Sequence, residues 1–587
     1  MREKWVVAAK RADFNAIGQR FGIDPVVARI MRNRGLTDEN QMELYLRGKK
    51  EDLFDPHLLK DVDKAADIIK EKIEQGKKIR IIGDYDIDGI QATYILLKSL
   101  RRLGARVDTV IPDRIADGYG LNLHLVTQAG EAGVDTILTC DNGISAIEQI
   151  HRAKELGMTV IVTDHHEVPF EEETKREIFC GADAVVNPKQ QACSYPFSGL
   201  CGAAVAFKFV QVLYETMGLP VSEADEFMEN AGFATVGDVM DLQGENRILV
   251  KLGLKMLNQT RNIGMKALIL QNGLTPGTLK SYHIGFKIGP CLNASGRLDT
   301  AKLSLQLLLC ENPAKAAVLA QQIVELNESR KLLTAQAVEE AEEVIAQQHY
   351  EQDRVFVIFL PNCHESLAGI VAGRIRENYH RPVLVITRSE EGAKGSGRSI
   401  EAYSMYEELC KCRNLLLKFG GHPMAAGFSL KEENIVPLRK ALNENSTLTG
   451  EDLVPKVTID VPMPVDYLYE ELVEQLELLE PFGKGNEKPV FADRNLEIEN
   501  LRVLGKEGRV IRMRLKSASG TSLDAVYFGD LENLRLSLEE KYGKVVAEDT
   551  VAGRCIHHAS LHFIYYPEID HYYSTPRLQL KITGFSA

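Results

Sequence analysis

The sequence predicts an α/β fold: a parallel-sheet domain joined by one long helix to a smaller α/β domain, with a small β-barrel or sandwich at the end. Three observations predict it. Short continuous apolar runs alternate with helical stretches over residues 79–163, the texture of a parallel sheet covered on both faces. Apolar residues then recur at steps of mostly three, four or seven from Leu319 to Ile345, which is the spacing of one helix face. Residues 453–587 show short alternating runs with turn signals, as small all-β domains do.

In chain order, residues 1–75 read as a helical extension with an amphipathic run at 62–73. A strand at 79–82 runs into GDYDIDG and a helix at 90–103. Strands follow at 107–111, 134–139 and 158–163, with a helix at 144–156 before the last, so the first sheet domain is expected over 76–312. Asn312-Pro313 suits a helix start, because the fixed φ of proline fits the first turn. The connecting helix is expected over 313–349 and is roughly 50 Å long at 1.5 Å per residue. VFVIFL (355–360) and PVLVIT (382–387) announce a second α/β domain over 350–445, and the polar residues 443–452 form a linker to the last domain, 453–587.

Composition bounds the function classes. The 587 residues are 44% apolar and 26% charged, which excludes wholesale disorder, and at ~150 residues each they suggest about four domains. No stretch approaches the roughly 18 apolar residues of a membrane span, and the five apolar residues near the N-terminus are too few for a signal peptide. Ten cysteines without a CxxC or regular framework predict reduced thiols and a cytoplasmic protein. GLTPGTLKS (273–281) lacks the Gly-Lys-Ser/Thr of a phosphate-binding loop, so no ATP site is implied. The net charge of −13 by itself speaks against nucleic acid, whose binders usually carry excess Lys and Arg.

Local patterns reverse that inference. IRIIGDYDIDG carries Asp84, Asp86 and Asp88, ILTCDNG carries Asp141, VIVTDHHE carries Asp164, His165 and His166, and ATVGDVMDL carries Asp238 and Asp241, all read as strand ends. A lone Asp at a strand end is most often a helix cap or turn residue. Four clusters at successive strand ends are harder to explain that way, because ligand sites in open parallel sheets gather outside the carboxyl ends of the strands. Converging carboxylates repel one another and are costly to bury unpaired; divalent cations remove the conflict. Aspartate oxygens with one or two imidazoles suit Mn²⁺ or Mg²⁺ better than Zn²⁺. The number of carboxylates points to two ions, about 3.5–4 Å apart in such sites and arranged for in-line attack of hydroxide on phosphorus. Asp238 is the favoured ligand of the fourth cluster, with Asp241 a cap or supporting group.

DYDIDG, DNG and DHH in this order, followed by GGHPMAAG (420–427), resemble the motifs of the DHH phosphoesterase superfamily and its DHHA1 domain. IPDRIADGYGLN (111–122), IGPCLNASGRLDTA (288–301), ESLAGIVAGRIRENYHRPVLVI (365–386) and LLEPFGKGNEKPVF (478–491) narrow the resemblance to the single-stranded-DNA exonucleases of the RecJ family. The resemblance implies a DHH domain, a DHHA1 domain and a C-terminal OB-like barrel in the three positions above. It implies an exonuclease of DNA recombination and repair that uses two Mn²⁺ or Mg²⁺ ions to hydrolyse single-stranded DNA from the 5′ end to nucleoside 5′-monophosphates. By motif, Asp84, Asp86, Asp88, Asp141, His165 and Asp238 would hold the metals, Asp141 bridging them. Catalysis would rest on Asp141, His165 and His166, the last in the ligand set or just behind it against the phosphate. Cys291, Cys363 and Asp241 stand where the family usually has Arg, Trp and Pro. The implied partners are single-stranded DNA, a single-strand-binding protein and a helicase, for a monomer with no membrane association. Two rivals are a DHH phosphodiesterase for short oligonucleotides or cyclic dinucleotides, and a non-catalytic scaffold that binds single strands. The C-terminal tail argues against the first and the intact motifs against the second.

Gripping residues complete the expectations. GSGRS (395–399) sets two glycines around Ser396 and Arg398; glycine lets backbone approach an anion, and arginine binds phosphate bidentately. By resemblance, Ser396 and Arg398 join Arg114 and Arg297 in a pocket for the 5′-phosphate, and His422 in GGHPMAAG packs against nucleotide. In VIRMRLKS (510–517), Arg512, Arg514 and Lys516 alternate with Met513 and Leu515, which in a strand puts three cations on one face. Residues 501–516 hold six Lys/Arg, Lys506 among them, against Glu507 alone. OB-folds bind single strands by such a charged groove with stacking aromatics, for which Tyr527 and Phe528 are candidates. His557, His558, His562 and His571 read as barrel surface or minor nucleic-acid contacts.

Overall fold

Five parallel strands, β1 (Lys78–Ile82), β2 (Arg106–Val110), β3 (Thr136–Cys140), β4 (Thr159–Thr163) and β5 (Ala184–Val186), lie side by side in the order 2-1-3-4-5. They read as continuous apolar runs because helices cover both faces. Ile79, Ile81, Leu138 and Ile161 point into one core, and Ile82, Ile137, Val160 and Val162 into the other. β5 is three residues long, too short for its pattern to stand out in the sequence. The structure is a computed structural model and describes all residues except 1–2, 115–116, 172–173, 175, 390–391, 506–507 and 571–575.

α1 (Ile87–Arg102) starts three residues before the expected 90, because Asp86 caps it and accepts hydrogen bonds from the Asp88 and Gly89 amides. α2 (Gly202–Thr216) is buried almost all round between α1 and α3 (Met228–Gly237). α4 (Pro313–Gln347) is the long helix, 35 residues started by the Asn312 cap and Pro313. Its first half puts Ala316, Leu319, Ala320 and Ile323 into the first core, and its second half puts Ala337, Ala341 and Ile345 into that of the next sheet. That sheet comprises β6 (Phe356–Phe359), β7 (Val383–Ser389), β8 (Gly392–Arg398), β9 (Lys418–His422) and β10 (Ala425–Leu430) in the order 9-10-8-7-6, antiparallel except for β6–β7. α5 (Ala368–Tyr379) packs on one of its faces.

A second compact unit is built from Glu3–Asp52, Leu242–Arg247 and Lys456–Ala587. Its barrel strands are β11 (Phe491–Leu504), β12 (Val510–Lys516), β13 (Ser522–Phe528), β14 (Ser560–Asp570) and β15 (Arg577–Ser586). They run 11-12-13-15-14, and β14 closes back onto β11. Lys4–Val7 pairs in parallel with Lys456–Ile459, and the helix Pro25–Asn33 buries Val27, Ile30 and Met31 in the barrel unit's core. The helical extension read over 1–75 is therefore divided. Residues Glu3–Asp52 belong with the barrel, and the helix Val62–Glu74 packs on α2 in the other unit. Fully buried Arg247 fastens the barrel unit by donating to the carbonyls of Tyr45, Leu478, Leu479 and Glu480. No helix among the described residues is long and apolar enough to cross a membrane.

Candidate metal centre

Strand order reverses at β1: the chain steps outward to β2, then returns to β3 on the other side of β1. Loops leaving β1 and β3 diverge there and open a crevice, and the acidic residues enter it from both. Asp84 is fully buried and accepts the Gly120 amide at 3.3 Å. Asp88, in the first turn of α1, is held by the N-terminus of α2: the amides of Gly202 and Ala203 donate to its two oxygens at 2.6 and 2.7 Å. Asp141 follows β3 in a left-handed conformation (φ 60°) and lies against Gly202, where a Cβ would come within 2.6 Å of the Asp141 Cβ.

The histidines come from the end of β4. Buried Asp164 accepts from the amides of His165 and His166 and from His166 Nδ1 (2.7 Å) with one oxygen, and from the Ile144 amide with the other. It is thus saturated, and it orients the His166 ring and pins the His165 backbone rather than joining the ligand set. His165 Nε2 lies 3.0 Å from Asp141 Oδ1, 3.6 Å from Asp88 Oδ2 and 3.7 Å from Asp238 Oδ2. Asp238 departs from expectation in one respect. ATVGD is the end of helix α3 and not a strand, and Asp238 is its C-terminal cap. The helix reaches the site because Gly237 packs on Ile87, where a Cβ would clash at 2.6 Å. Asp241 is exposed and belongs to none of the convergent groups.

Three sets of donors lie within 4.8 Å of one another: Asp84, Asp86 and Asp141; Asp141, His165 and His166; Asp88, His165 and Asp238. Asp141 and His165 link them into one cluster. Asp84 Oδ2, Asp141 Oδ1 and His165 Nδ1 are buried without a hydrogen-bond partner, which is costly. Burial first, and then the neighbouring aspartates, hold the carboxyls of Asp84 and Asp141 well above the usual carboxylate range. Burial also raises Asp88 and keeps His165 a neutral imidazole. Oxygen donors that repel one another and a neutral imidazole fit a pair of hard divalent cations. Tyr119, which no motif argument singled out, donates its hydroxyl to the Asp141 carbonyl at 2.7 Å and lies 3.1 Å from His166 Nε2.

Across from this cluster, the second sheet presents a cleft of about 450 Å³ lined by Tyr85, Arg114, Ser366, Lys394, Ser396 and Lys418 among others. Ser396 pairs with Gly427 and Gly427 with Gly420, so the floor is flat. Arg114 stacks 4.8 Å over the Tyr85 ring, and Arg297 donates to the Ser366 carbonyl at 2.7 Å. Burial, then Arg114, Arg330 and Arg398, push the Arg297 guanidinium down to about 10, and Arg398 is lowered by burial and its arginine neighbours. Such mutually repelling cations are relieved by an anion. His422 is exposed at the sheet edge and does not line the cleft; Cys291 is buried among Lys287, Asn272 and Asn327.

On the barrel, Ile511, Met513 and Leu515 face the core, while Arg512, Arg514 and Lys516 face outward, as alternation predicts. Arg502 and Arg512 are cross-strand partners, and with Arg514 and Gln579 they line a cleft of about 280 Å³. Part of that charge is offset, since Lys516 lies 3.3 Å from Glu499 and Arg514 3.7 Å from Asp524. Tyr527 packs edge-on against Phe585 within the barrel and is not presented for stacking, whereas Phe528 is exposed. Lys506, Glu507 and His571 lie outside the described residues.

Comparison with known proteins accords with this arrangement. Family models match as the DHH family N-terminal domain over residues 78–231, the DHHA1 domain over 352–446 and the RecJ OB domain over 459–584. The chain is 32% identical to the single-stranded-DNA-specific exonuclease RecJ of Haemophilus influenzae, over 87% of this chain and 90% of that one. It is 37% identical to the Bacillus subtilis protein of the same name, over 90% of this chain and 66% of that one. The crystal structure of RecJ from Thermus thermophilus in complex with Mn²⁺ superposes with a TM-score of 0.81 at 28% identity, covering all of this chain and 79% of the other. A second structure of that protein holds Mg²⁺ and has a TM-score of 0.75. From sheet to barrel, the chain belongs to the RecJ family of single-stranded-DNA-specific exonucleases.

Proposed function

We propose that Asp84, Asp86 and Asp141 hold one divalent ion, that Asp88, His165 and Asp238 hold the other with Asp141 between them, and that the strand is cut from its 5′ end. The protein is a metal-dependent exonuclease of single-stranded DNA. The observation that carries the residue assignment is the chain of three donor sets joined through Asp141 and His165. Mn²⁺ or Mg²⁺ bound there supplies Lewis-acid stabilisation of the entering and leaving oxygens of an in-line displacement at phosphorus.

The protein's own groups do the positioning. Asp164 fixes the His166 imidazole; burial pulls that ring down, but the Asp164 hydrogen bond together with the charges of Asp164, Asp238 and Asp88 raises it to about 9, so His166 carries a proton to offer a phosphate oxygen. Arg114, Arg297, Ser396 and Arg398 hold the terminal 5′-phosphate. A strand anchored there by its end offers the phosphate one nucleotide in to the acidic cluster, so the product is a nucleoside 5′-monophosphate. The cationic face of β12 holds strand not yet cut. A single-strand-binding protein and a helicase would deliver that strand in the cytoplasm, where a monomer with ten free cysteines is in keeping.

Digestion of a long single strand labelled at either end, with Mn²⁺ or Mg²⁺, tests the polarity. Mononucleotides should appear first from the 5′ end, and release beginning at the 3′ end would sink the assignment of the arginine pocket. Asp141→Ala should abolish cleavage while DNA binding stays measurable; unchanged turnover would refute the ligand assignment.

A further inference from the structure

Residues 280–287 read Lys-Ser-Tyr-His-Ile-Gly-Phe-Lys, with cations at both ends and no acidic residue. They form a short helix, Ser281–His283, that passes through a π-helical turn, Ile284–Ile288, into the helix Gly289–Leu298. Such π turns are rare and frequent at functional sites. Ile284 and Ile288 are buried, whereas Tyr282 and Phe286 point outward at 57% and 69% exposure. Their rings are stacked on each other, centroids 5.0 Å apart and planes 25° from parallel. An exposed aromatic pair serves no core and marks a contact surface.

Its position says which contact. A Cβ on Gly285 would touch Val236, and one on Gly289 would touch Ile87 at 3.1 Å, so the turn sits against the segments that end in Asp238 and begin at Asp86. The helix Gly289–Leu298 carries Arg297 at its far end. At 1.5 Å per residue, Phe286 and Arg297 are about 16 Å apart along the helix. Between them the helix runs past the acidic loop: Asn293 accepts the Ile87 amide at 2.8 Å, and a Cβ on Gly296 would clash with the Tyr85 carbonyl. Val239, held at φ 56° with 60% of its surface exposed, stands next to Asp238 on the same rim.

We propose that Tyr282 and Phe286 form a stacking platform for bases on the 3′ side of the scissile phosphate, with Lys287 against the backbone. The proposal rests on the reading that the 5′ end is held by the arginine cluster. Aromatic faces interleaved with cations are how single strands are gripped without sequence preference, and the absence of any carboxylate in the segment favours a polyanion over a protein partner.

The test uses the full chain, chelator to prevent cleavage, and 5′-phosphorylated oligonucleotides carrying 2-aminopurine at successive positions. In the wild type, fluorescence should be quenched in a window a few nucleotides from the 5′ end. Tyr282→Ala with Phe286→Ala should remove that window and weaken binding roughly ten-fold or more, the scale of lost base stacking, and Phe286→Trp should restore it. With metal, the double variant should raise KM on long strands and leave kcat unchanged, because neither ring touches the acidic cluster. Identical quenching and affinity in the double variant would overturn the platform, and point to a protein contact instead. Equal binding of 5′-phosphate and 5′-hydroxyl strands by the wild type would count against the end pocket and not against stacking, which separates the two failures.

Discussion

Gly202→Ala is the most informative single change, because it removes no ligand. The added methyl would sit 2.6 Å from the Asp141 Cβ and 2.8 Å from its Oδ1, where ordinary contact begins at 3.4 Å. Asp141 or the start of α2 must therefore give by about 0.8 Å, the difference between 3.4 and 2.6 Å. The α2 start has little freedom, since the Gly202 and Ala203 amides are both committed to Asp88, so the carboxylate between the two donor sets should take most of the displacement. A misplacement of about 1 Å at a reacting centre costs on the order of 100-fold in rate, and overpacking costs about 1–3 kcal/mol of stability. We expect a folded protein with kcat lowered on the order of 100-fold and weaker Mn²⁺ binding by calorimetry. Gly373→Ala, on a helix with nothing within 4 Å of the new methyl, is the matched control. Wild-type metal affinity and turnover in Gly202→Ala would refute the placement of Asp141 at the centre of the cluster.

Three further outcomes are expected. Asp164→Asn, which cannot accept the Ile144 amide and the two histidine contacts together, should lower metal affinity roughly 10–100-fold without removing a ligand; calorimetric titration would show it, and unchanged affinity would argue that the His165–His166 segment needs no anchoring by Asp164. Arg398→Ala should cut the preference for 5′-phosphate over 5′-hydroxyl strands by about ten-fold or more, the worth of a charged hydrogen bond, read as a ratio of initial rates. Saturating Mn²⁺ at about 100 times its Kd should stabilise the sheet unit by about 2.7 kcal/mol, seen as a higher melting temperature than in chelator, and no shift would mean the buried carboxylates do not bind the ion.

Periodicity and motif spacing are local properties, and they were legible. The runs at 79–82, 134–139 and 158–163 match β1, β3 and β4 to within two residues at each end, and the strict alternation in 510–517 correctly put Arg512, Arg514 and Lys516 on the outside of β12. The residue types of the acidic cluster were legible for the same reason: carboxylates and imidazoles after apolar runs have few uses other than capping and metal binding. Asp86 caps α1 and also stands in one of the convergent donor sets, which is why weighing the cap against the ligand could not choose between them.

What the sequence determined, then, is the inventory of strands, long helix, charged strand face and donors, each set by contacts within a few residues. Tertiary structure decided which of these meet. Asp238 arrives from the end of a helix, Asp88 is held by amides more than a hundred positions away, and His422 stays at an exposed edge although its motif resembled a nucleotide contact. The N-terminal helices pack with the barrel at the opposite end of the chain. No local pattern encodes such pairings, because they follow from the strand order 2-1-3-4-5 and from glycines such as Gly202 and Gly237, where the absence of a side chain lets two segments touch.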